Sequence, residues 1–189
     1  SGVQAVATAA MMVETGMADV VVAGGVESMS NVEHYTLAAR GGVRMGDMVL
    51  HDRLSRGRVM SQPIERFGVI TGMIETAENL AKDYGITREQ ADEFAVRSHQ
   101  NAARAWAEGK FAEQLVPVAI SQRKGDPVVF DQDEGYRTDA SMETLGKLAP
   151  IDLRRDPEAI VTAGNASQQN DAAAACLVVA EDKLEELGL

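Results

Sequence analysis

Residues Ser1–Gly25 read SGVQAVATAAMMVETGMADVVVAGG. The hydrophobic pattern changes once within this stretch, and the change sets the layering of the fold. From Ser1 to Thr15, Val3, Ala5, Val6, Ala7, Ala9, Ala10, Met11, Met12 and Val13 cover nearly the whole circumference of a helix. Such a segment predicts a helix buried all round, and Gly16 supplies its stop. Ala18–Gly25, ADVVVAGG, is a short valine-rich run closed by glycines, which predicts a strand buried on both faces. Gly24 and Gly25 read as a turn leaving that strand, where glycine accepts backbone angles other residues avoid. Helix then strand implies an α/β architecture.

Working outward, Ser30 to about Phe67 is Arg- and Gly-rich with few clean periods, an elaborated loop region. Two amphipathic helices follow. The first, Thr71–Tyr84, sets Met73, Ile74, Ala77, Leu80 and Ala81 on one face and ends at Gly85. The second starts at Thr87 with Gln90 three residues on, a capping-box pattern. It carries Ala91, Phe94, Ala95, Ser98, Ala102 and Ala105 along a stripe as far as Gly109. LVPVAIS (115–121) and PVVFD (127–131) form a hairpin through Arg123-Lys124-Gly125-Asp126, their prolines favouring sheet edges. A short helix is expected over Ser141–Lys147. VTAGNASQQND (161–171) then leads into AAAACLVVA (172–180), a second buried strand, and a helix starts at Glu181. Core-like strands therefore lie near both ends, with a large insertion between them.

The 189 residues are 45% hydrophobic and only 4% aromatic, with a net charge of −11. Such an acidic chain disfavours nucleic acid and anionic membranes as partners. Locally, Arg40, Arg44, Arg53, Arg56, Arg58 and Arg66 outnumber Asp47, Asp52 and Glu65, a basic stretch suited to an anionic ligand. The single Cys176 makes an internal disulfide impossible and points to the cytoplasm. Lying within an apolar run, it reads as inert packing. No apolar run reaches membrane-span length. His34, His51 and His99 lack metal-ligand spacing, so no metal site is expected. Neither GxSxG nor a Walker A pattern is present. Asn165-Ala166-Ser167 fits a glycosylation acceptor, which matters only in a secreted protein.

Three passages together resemble the thiolase family: SGVQAVATA (1–9), AGGVESMS (23–30) and TAGNASQQNDAAAA (162–175). MIETAENLAKDYGITREQADEFAVRSHQ (73–100) is similar to the family's helices between them. The resemblance covers essentially the entire chain in order and implies the layered αβαβα thiolase fold. It reads this chain as the second half of a thiolase N-terminal domain: residues 1–30 and 169–189 as its core, residues 31–168 as the inserted loop domain that binds coenzyme A. The resemblance places the nucleophilic cysteine two residues ahead of Ser1, outside the sequence, and the family's Asn-Glu, His-Pro and Cys-x-Gly motifs beyond Leu189. No residue of this chain is thus expected to be catalytic. A helix N-terminus favours a thiolate just ahead of it, so Ser1–Thr15 would activate that cysteine.

For the site, the resemblance implies that Ser167 hydrogen-bonds the pantetheine arm, while Ala163 and Ala166 leave room for it to pass. It matches Arg137 to an arginine at the adenine and phosphate end of coenzyme A, where a guanidinium suits stacking and phosphate pairing. It matches Met73 to a substrate-lining methionine. On the residues alone, Ser167 caps the next element, Arg137 is a solvated surface group and Met73 packs in the core. The chain departs from the family in three places: Gly72-Met73-Ile74 replaces His-Met-Gly, Gln168-Gln169-Asn170-Asp171-Ala172 replaces Gly-x-Asn-Asp-Gly, and Pro-x-Phe is missing after Pro150.

The expected function is acyl transfer that makes or cleaves 3-ketoacyl-coenzyme A through a cysteine acyl-enzyme. Acetyl- or acyl-coenzyme A would be the substrate, with no separate cofactor, in a homodimer or homotetramer. The residues in hand alone are expected to be inactive. A thiolase-like acyl-coenzyme A carrier without turnover is the alternative; a ketoacyl synthase is a third reading, disfavoured by the long insertion.

Overall fold

A computed structural model of the chain describes residues 1–68 and 72–189, with the side chains of Arg58 and Val59 outside that description. The chain divides into two units, Ser1–Arg53 with Gln169–Leu189, and Leu54–Gln168.

In the first unit, α1 (Gly2–Glu14) packs against β1 (Val20–Glu27), which pairs antiparallel with β6 (Ala172–Val179). Register runs from Val20 opposite Val179 to Glu27 opposite Ala172, so the two expected strands are neighbours across some 150 residues of intervening chain. The expected all-round burial of α1 is corrected: Ala9 is its buried residue, Val3, Val6 and Met11 are exposed, and Ala5, Met12 and Val13 are half-buried. Two strands cover only one face of a helix. For the same reason β1 is not buried on both faces; Ala23 alone among its residues is buried. Thr15 caps α1 and Gly16 (φ +68°) turns the chain toward β1.

Gly24 and Gly25 need a different account from the one their sequence suggests. They are not a turn; β1 runs through both to Glu27. A Cβ on Gly24 would lie 2.6 Å from the Ala174 carbonyl oxygen and 3.1 Å from Ala175, whereas one on Gly25 meets nothing. Gly24 is required by close strand approach. Opposite Ala23 stands Cys176, exposed and not packed away as expected. At the end of the pair, Asp171 accepts hydrogen bonds from the Ser30 amide (2.8 Å), the Ser30 hydroxyl and the Ser28 hydroxyl (3.5 Å). The Ser30 hydroxyl, then its amide, hold the Asp171 carboxyl below the usual carboxylate range. The unit also contains β2 (His34–Tyr35) paired with β3 (His51–Asp52). The helix expected from Glu181 is a 3-10 turn, Glu181–Lys183, followed by the short α7 (Leu184–Leu187), which Gly188 closes in the left-handed conformation.

The arginine-rich stretch is shared between the units: Arg40, Arg44 and Arg53 fall in the first, Arg56 and Arg66 in the second, and the Arg58 side chain lies outside the described residues. Arg53 pairs with Glu33 at 2.6 Å, and Arg66 lies over the Phe67 ring.

The second unit holds α2 (Arg53–Val59) from Leu54 on, α3 (Ile64–Phe67), α4 (Met73–Tyr84), α5 (Arg88–Ala107), the hairpin β4 (Val118–Ile120) and β5 (Val128–Phe130), and α6 (Met142–Gly146). Three expectations hold in detail. Thr87 and Gln90 form a reciprocal capping box on α5, the hairpin turns through Gly125 (φ +88°), and Ser141 caps α6. The expected start of α4 at Thr71 lies outside the described residues.

The faces predicted for the two long helices hold in part. On α4, Ala81 is buried and Ile74 half-buried, while Met73, Ala77 and Leu80 are exposed and Glu78 is buried instead. On α5, Ala95 is buried and Ala91, Ala102 and Ala105 are half-buried, while Phe94 and Ser98 are exposed, Phe94 lying against the Arg97 guanidinium; Asp92 is buried, and Val96, His99, Ala103 and Trp106 are partly so. Apolar counting missed that each inward face also carries a carboxylate. The small core of the unit joins Ala95, Ala140 and Leu145, with Val96 against it. Trp106 stacks on Tyr136 with ring planes 12° apart and tilts against Phe111.

Candidate functional site

The segment Ile160–Ser167 belongs to the second unit and is irregular, so its backbone groups need partners other than a ladder or a helix. One side is supplied by Pro150–Ile151: Thr162 forms a bridge with Pro150, and the Ile151 amide donates to the Val161 carbonyl (2.8 Å). Two buried carboxylates supply another side, one taking main-chain amides and the other the Asn165 side chain.

Glu78, 5% exposed on α4, accepts from the Ile160 amide through both oxygens (3.1 and 3.0 Å) and from the Val161 amide (2.8 Å). Asp92, 2% exposed on α5, accepts from Asn165 Nδ2 (2.9 Å) and from Arg88 Nε (2.7 Å). Burying a carboxylate is costly unless it is hydrogen-bonded or paired. Glu78 meets that condition with main-chain donors and Asp92 with a guanidinium and an amide. Arg88, one turn before Asp92, also donates to the Leu145 and Leu148 carbonyls (2.8 and 3.0 Å), tying the end of α6 to the same network.

Asn165 closes the loop on itself. Its Oδ1 accepts from the Thr162 amide (2.8 Å), and its Nδ2 also donates to the Ile160 carbonyl (3.0 Å). Thr162, wholly buried, accepts on Oγ1 from the Gly164 and Asn165 amides, and its carbonyl accepts from the Ala166 amide at 3.0 Å. Gly164 lies so close to α6 that a Cβ would fall 2.6 Å from Leu148 Cδ1 and 2.9 Å from Leu145 Cγ. The loop is therefore pressed onto its unit from Ile160 to Asn165, and Ala163 and Ser167 face solvent while Ala166 is half-buried.

Of the residues singled out from sequence, Ala163, Ala166 and Ser167 thus share one tightly held loop. The Ser167 hydroxyl donates weakly to the Gln168 carbonyl (3.4 Å) and caps no helix. The segment bearing Arg137 is joined to the loop by Gln168 Nε2, which donates to the Gly135 carbonyl. The Arg137 side chain is exposed, and its amide donates to His99 Nδ1 at 3.2 Å, so His99 fixes this segment against α5. Met73 stands apart from the loop network, 70% exposed in the first turn of α4 and not packed in a core. Nearby, Lys82 pairs with Asp156 at 2.5 Å; the Lys82 ammonium holds the Asp156 carboxyl below its ordinary range, and Asp156 in turn raises Lys82.

Glu78, Asp92, Arg88 and Asn165 were not visible as functional residues from sequence. A signal was present: Glu78 is four residues from Ile74 and three from Ala81, and Asp92 is three from Ala95, which puts an acid on the inward stripe of each helix.

Residues 1–182 match the family model "Thiolase, N-terminal domain", and the chain belongs to that family. Among curated relatives, an acetyl-CoA acetyltransferase of Thiocystis violacea is 46% identical over 189 residues, covering 100% of this chain and 46% of its own length. A probable acetyl-CoA acyltransferase of Staphylococcus aureus (strain COL) is 43% identical, with coverage of 100% and 46%. The crystal structure of the Bacillus anthracis acetyl-CoA acetyltransferase superposes with a TM-score of 0.85 at 41% identity, covering 100% of this chain and 45% of that one. The chain spans about half the length of the curated relatives it matches. Its α/β architecture is that of the thiolase fold.

Proposed function

We propose that the protein carrying this chain is a thiolase, an acyltransferase that forms or cleaves 3-ketoacyl-coenzyme A, with acetyl-coenzyme A or another acyl-coenzyme A as substrate. The observation that carries the reading is the loop Ile160–Ser167: two buried carboxylates hold it from behind while Ala163 and Ser167 are left open to a ligand. Family membership, and relatives whose names specify acetyl-coenzyme A acetyl transfer, support it.

In this reading Ser167 hydrogen-bonds the pantetheine arm, Ala163 and Ala166 give it passage, Arg137 meets the adenine and phosphate end, and Met73 lines the acyl site. In synthesis a cysteine outside these residues takes the acyl group from an acyl-coenzyme A, expelling coenzyme A thiolate, and the enolate of a second thioester then displaces the cysteine sulfur; in cleavage the cysteine attacks the 3-keto carbon, the C2–C3 bond breaks to release an acetyl-coenzyme A enolate that takes up a proton, and coenzyme A thiolate displaces the cysteine sulfur. The α1 dipole favours that cysteine as thiolate. The inserted loop domain, residues 31–168, serves coenzyme A binding, and the coenzyme A thioester is substrate with no resident cofactor. The protein works in fatty acid metabolism in the cytoplasm as a homodimer or homotetramer. No helix among the described residues is long and apolar enough to cross a membrane.

The test is thiolysis of a 3-ketoacyl-coenzyme A by the complete polypeptide carrying these residues, followed by loss of its ultraviolet absorbance. Turnover is expected, with Ser167→Ala raising KM for coenzyme A by roughly three- to tenfold, the loss of one hydrogen bond. Iodoacetamide labelling blocked by acetyl-coenzyme A marks the nucleophile. Coenzyme A binding with neither turnover nor protected labelling would make the protein a carrier instead.

A further inference from the structure

We infer that Glu78 is a positioning residue for the coenzyme A loop. Its carboxylate fixes Ile160 and Val161 so that Ser167, seven residues beyond Ile160, is presented to the ligand in one orientation. The inference rests on the reading of Ile160–Ser167 as that loop.

Glu78 is 5% exposed, and its helix neighbours Met73, Ala77 and Leu80 are turned outward instead. A helix that buries an acid in place of its own methionine and leucine gives up apolar burial to do so. Among the described residues no guanidinium or ammonium is bonded to Glu78 in the way Arg88 is to Asp92, though Lys82, one turn on, feels its charge; its bonded partners there are the two main-chain amides Ile160 and Val161. Two successive amides converging on one carboxylate define the direction of the chain there, because both N–H vectors must point at the same small target. Ile160 is gripped at both ends of its peptide groups, by Glu78 at the amide and by Asn165 Nδ2 at the carbonyl. Asn165 is in turn held by Asp92 on α5. Glu78 therefore fixes the entry to the loop and Asp92 its middle, each from a different helix. Ala163 and Ser167 follow from those two anchors, and Glu78 itself is buried behind the loop, its oxygens taken up by the two amides.

Substituting glutamine tests this with little change in shape. In Glu78→Gln one oxygen remains an acceptor, while the new Nε2 donor faces the Ile160 amide, itself a donor, where the carboxylate oxygen stood. Glu78→Asp keeps the charge and withdraws it by one methylene, giving a second variant should the first fail to fold. Both are made in the complete polypeptide, and amide hydrogen exchange is read alongside steady-state kinetics with acetyl-coenzyme A.

The expected result is exchange at Ile160 and Val161 at least about tenfold faster, the loss of a hydrogen bond to a charged group. KM for the coenzyme A substrate should rise about tenfold with kcat within about twofold, because loop placement serves binding and not the bond changes. Faster exchange with unaltered KM would overturn the positioning role. So would unaltered exchange at the two amides. Failure of the unsubstituted protein to bind acetyl-coenzyme A would instead remove the thiolase reading, and this inference with it.

Discussion

The loop Ile160–Ser167 and the strand pair β1–β6 each join stretches of chain far apart in sequence, and they do so by opposite means. Eight residues of β1 face eight of β6 through a regular antiparallel ladder, with alanine and glycine letting the backbones approach closely. The loop has no ladder of its own beyond the bridge to Pro150; side chains of α4 and α5 reach out and take its amides. A ladder distributes its hold over many equivalent bonds, so the loss of one is shared. A loop held by three or four specific side chains concentrates it. The comparison predicts that single substitutions should be felt more sharply in the loop's supports than along the strands.

The largest effect is expected at Asp92. Asp92→Ala removes the acceptor for both Arg88 and Asn165 and leaves the guanidinium without its ion pair. Breaking a buried pair costs about 3–5 kcal/mol; the Arg88 side chain retains 26% exposure and two carbonyl partners, which favours the lower end, roughly 3 kcal/mol. Urea unfolding of the variant against the parent measures it. A loss well under 1 kcal/mol would mean the loop does not depend on this support.

In the strands the sharpest point is Gly24. Gly24→Val drives Cβ toward the Ala174 carbonyl oxygen, a contact of backbone against backbone that no rotamer relieves, with an expected cost of about 1–3 kcal/mol. Gly25→Ala, where a Cβ meets nothing, is the internal control and should remain within about 0.5 kcal/mol. Equal losses at the two glycines would contradict the close approach assigned to Gly24.

The smallest effect tests a polar latch at the end of the strand pair. Asp171 is ionised more readily in the fold than in the unfolded chain, because the Ser30 hydroxyl and amide stabilise its charged form. A carboxyl with a lowered folded-state pKa contributes stability above its unfolded value and loses it as pH falls toward the folded one. Thermal melts of the parent should therefore lose part of their margin over Asp171→Asn as the pH drops below the ordinary aspartate range, and the two should converge in strong acid. Parallel curves across that range would show that Ser28, Ser30 and Asp171 do not couple to folding.

Much of the architecture could be read from the residues because local chemistry agreed with the final structure. Thr87 with Gln90, the turn at Gly125 and the strand character of the two apolar runs near the chain ends each rest on a pattern that neighbours reinforce. The faces of α4 and α5 followed only in part, since counting apolar residues passes over Glu78 and Asp92, whose burial is made favourable by Ile160 and Val161 for the one and by Asn165 and Arg88 for the other. Gly24 failed in a related way: a glycine demanded by a strand 150 residues downstream looks, locally, like any turn glycine. The Thr162–Ser167 motif singled out the loop proposed to bind coenzyme A, while the residues that hold that loop came from elements whose sequences give no hint of which distant amides they meet.

Trp106 gives the molecule an optical consequence. The 189 residues contain one tryptophan, and its indole stacks on the ring of Tyr136, next to Arg137, with Phe111 on another side. Excited at a wavelength that phenols share, that pair transfers energy from tyrosine to indole, and any ligand that pulls Arg137 and its neighbours away from α5 would alter the colour and yield of the emission. The fluorophore sits beside that segment, so within these 189 residues a displacement of it can be followed by light alone with no label attached.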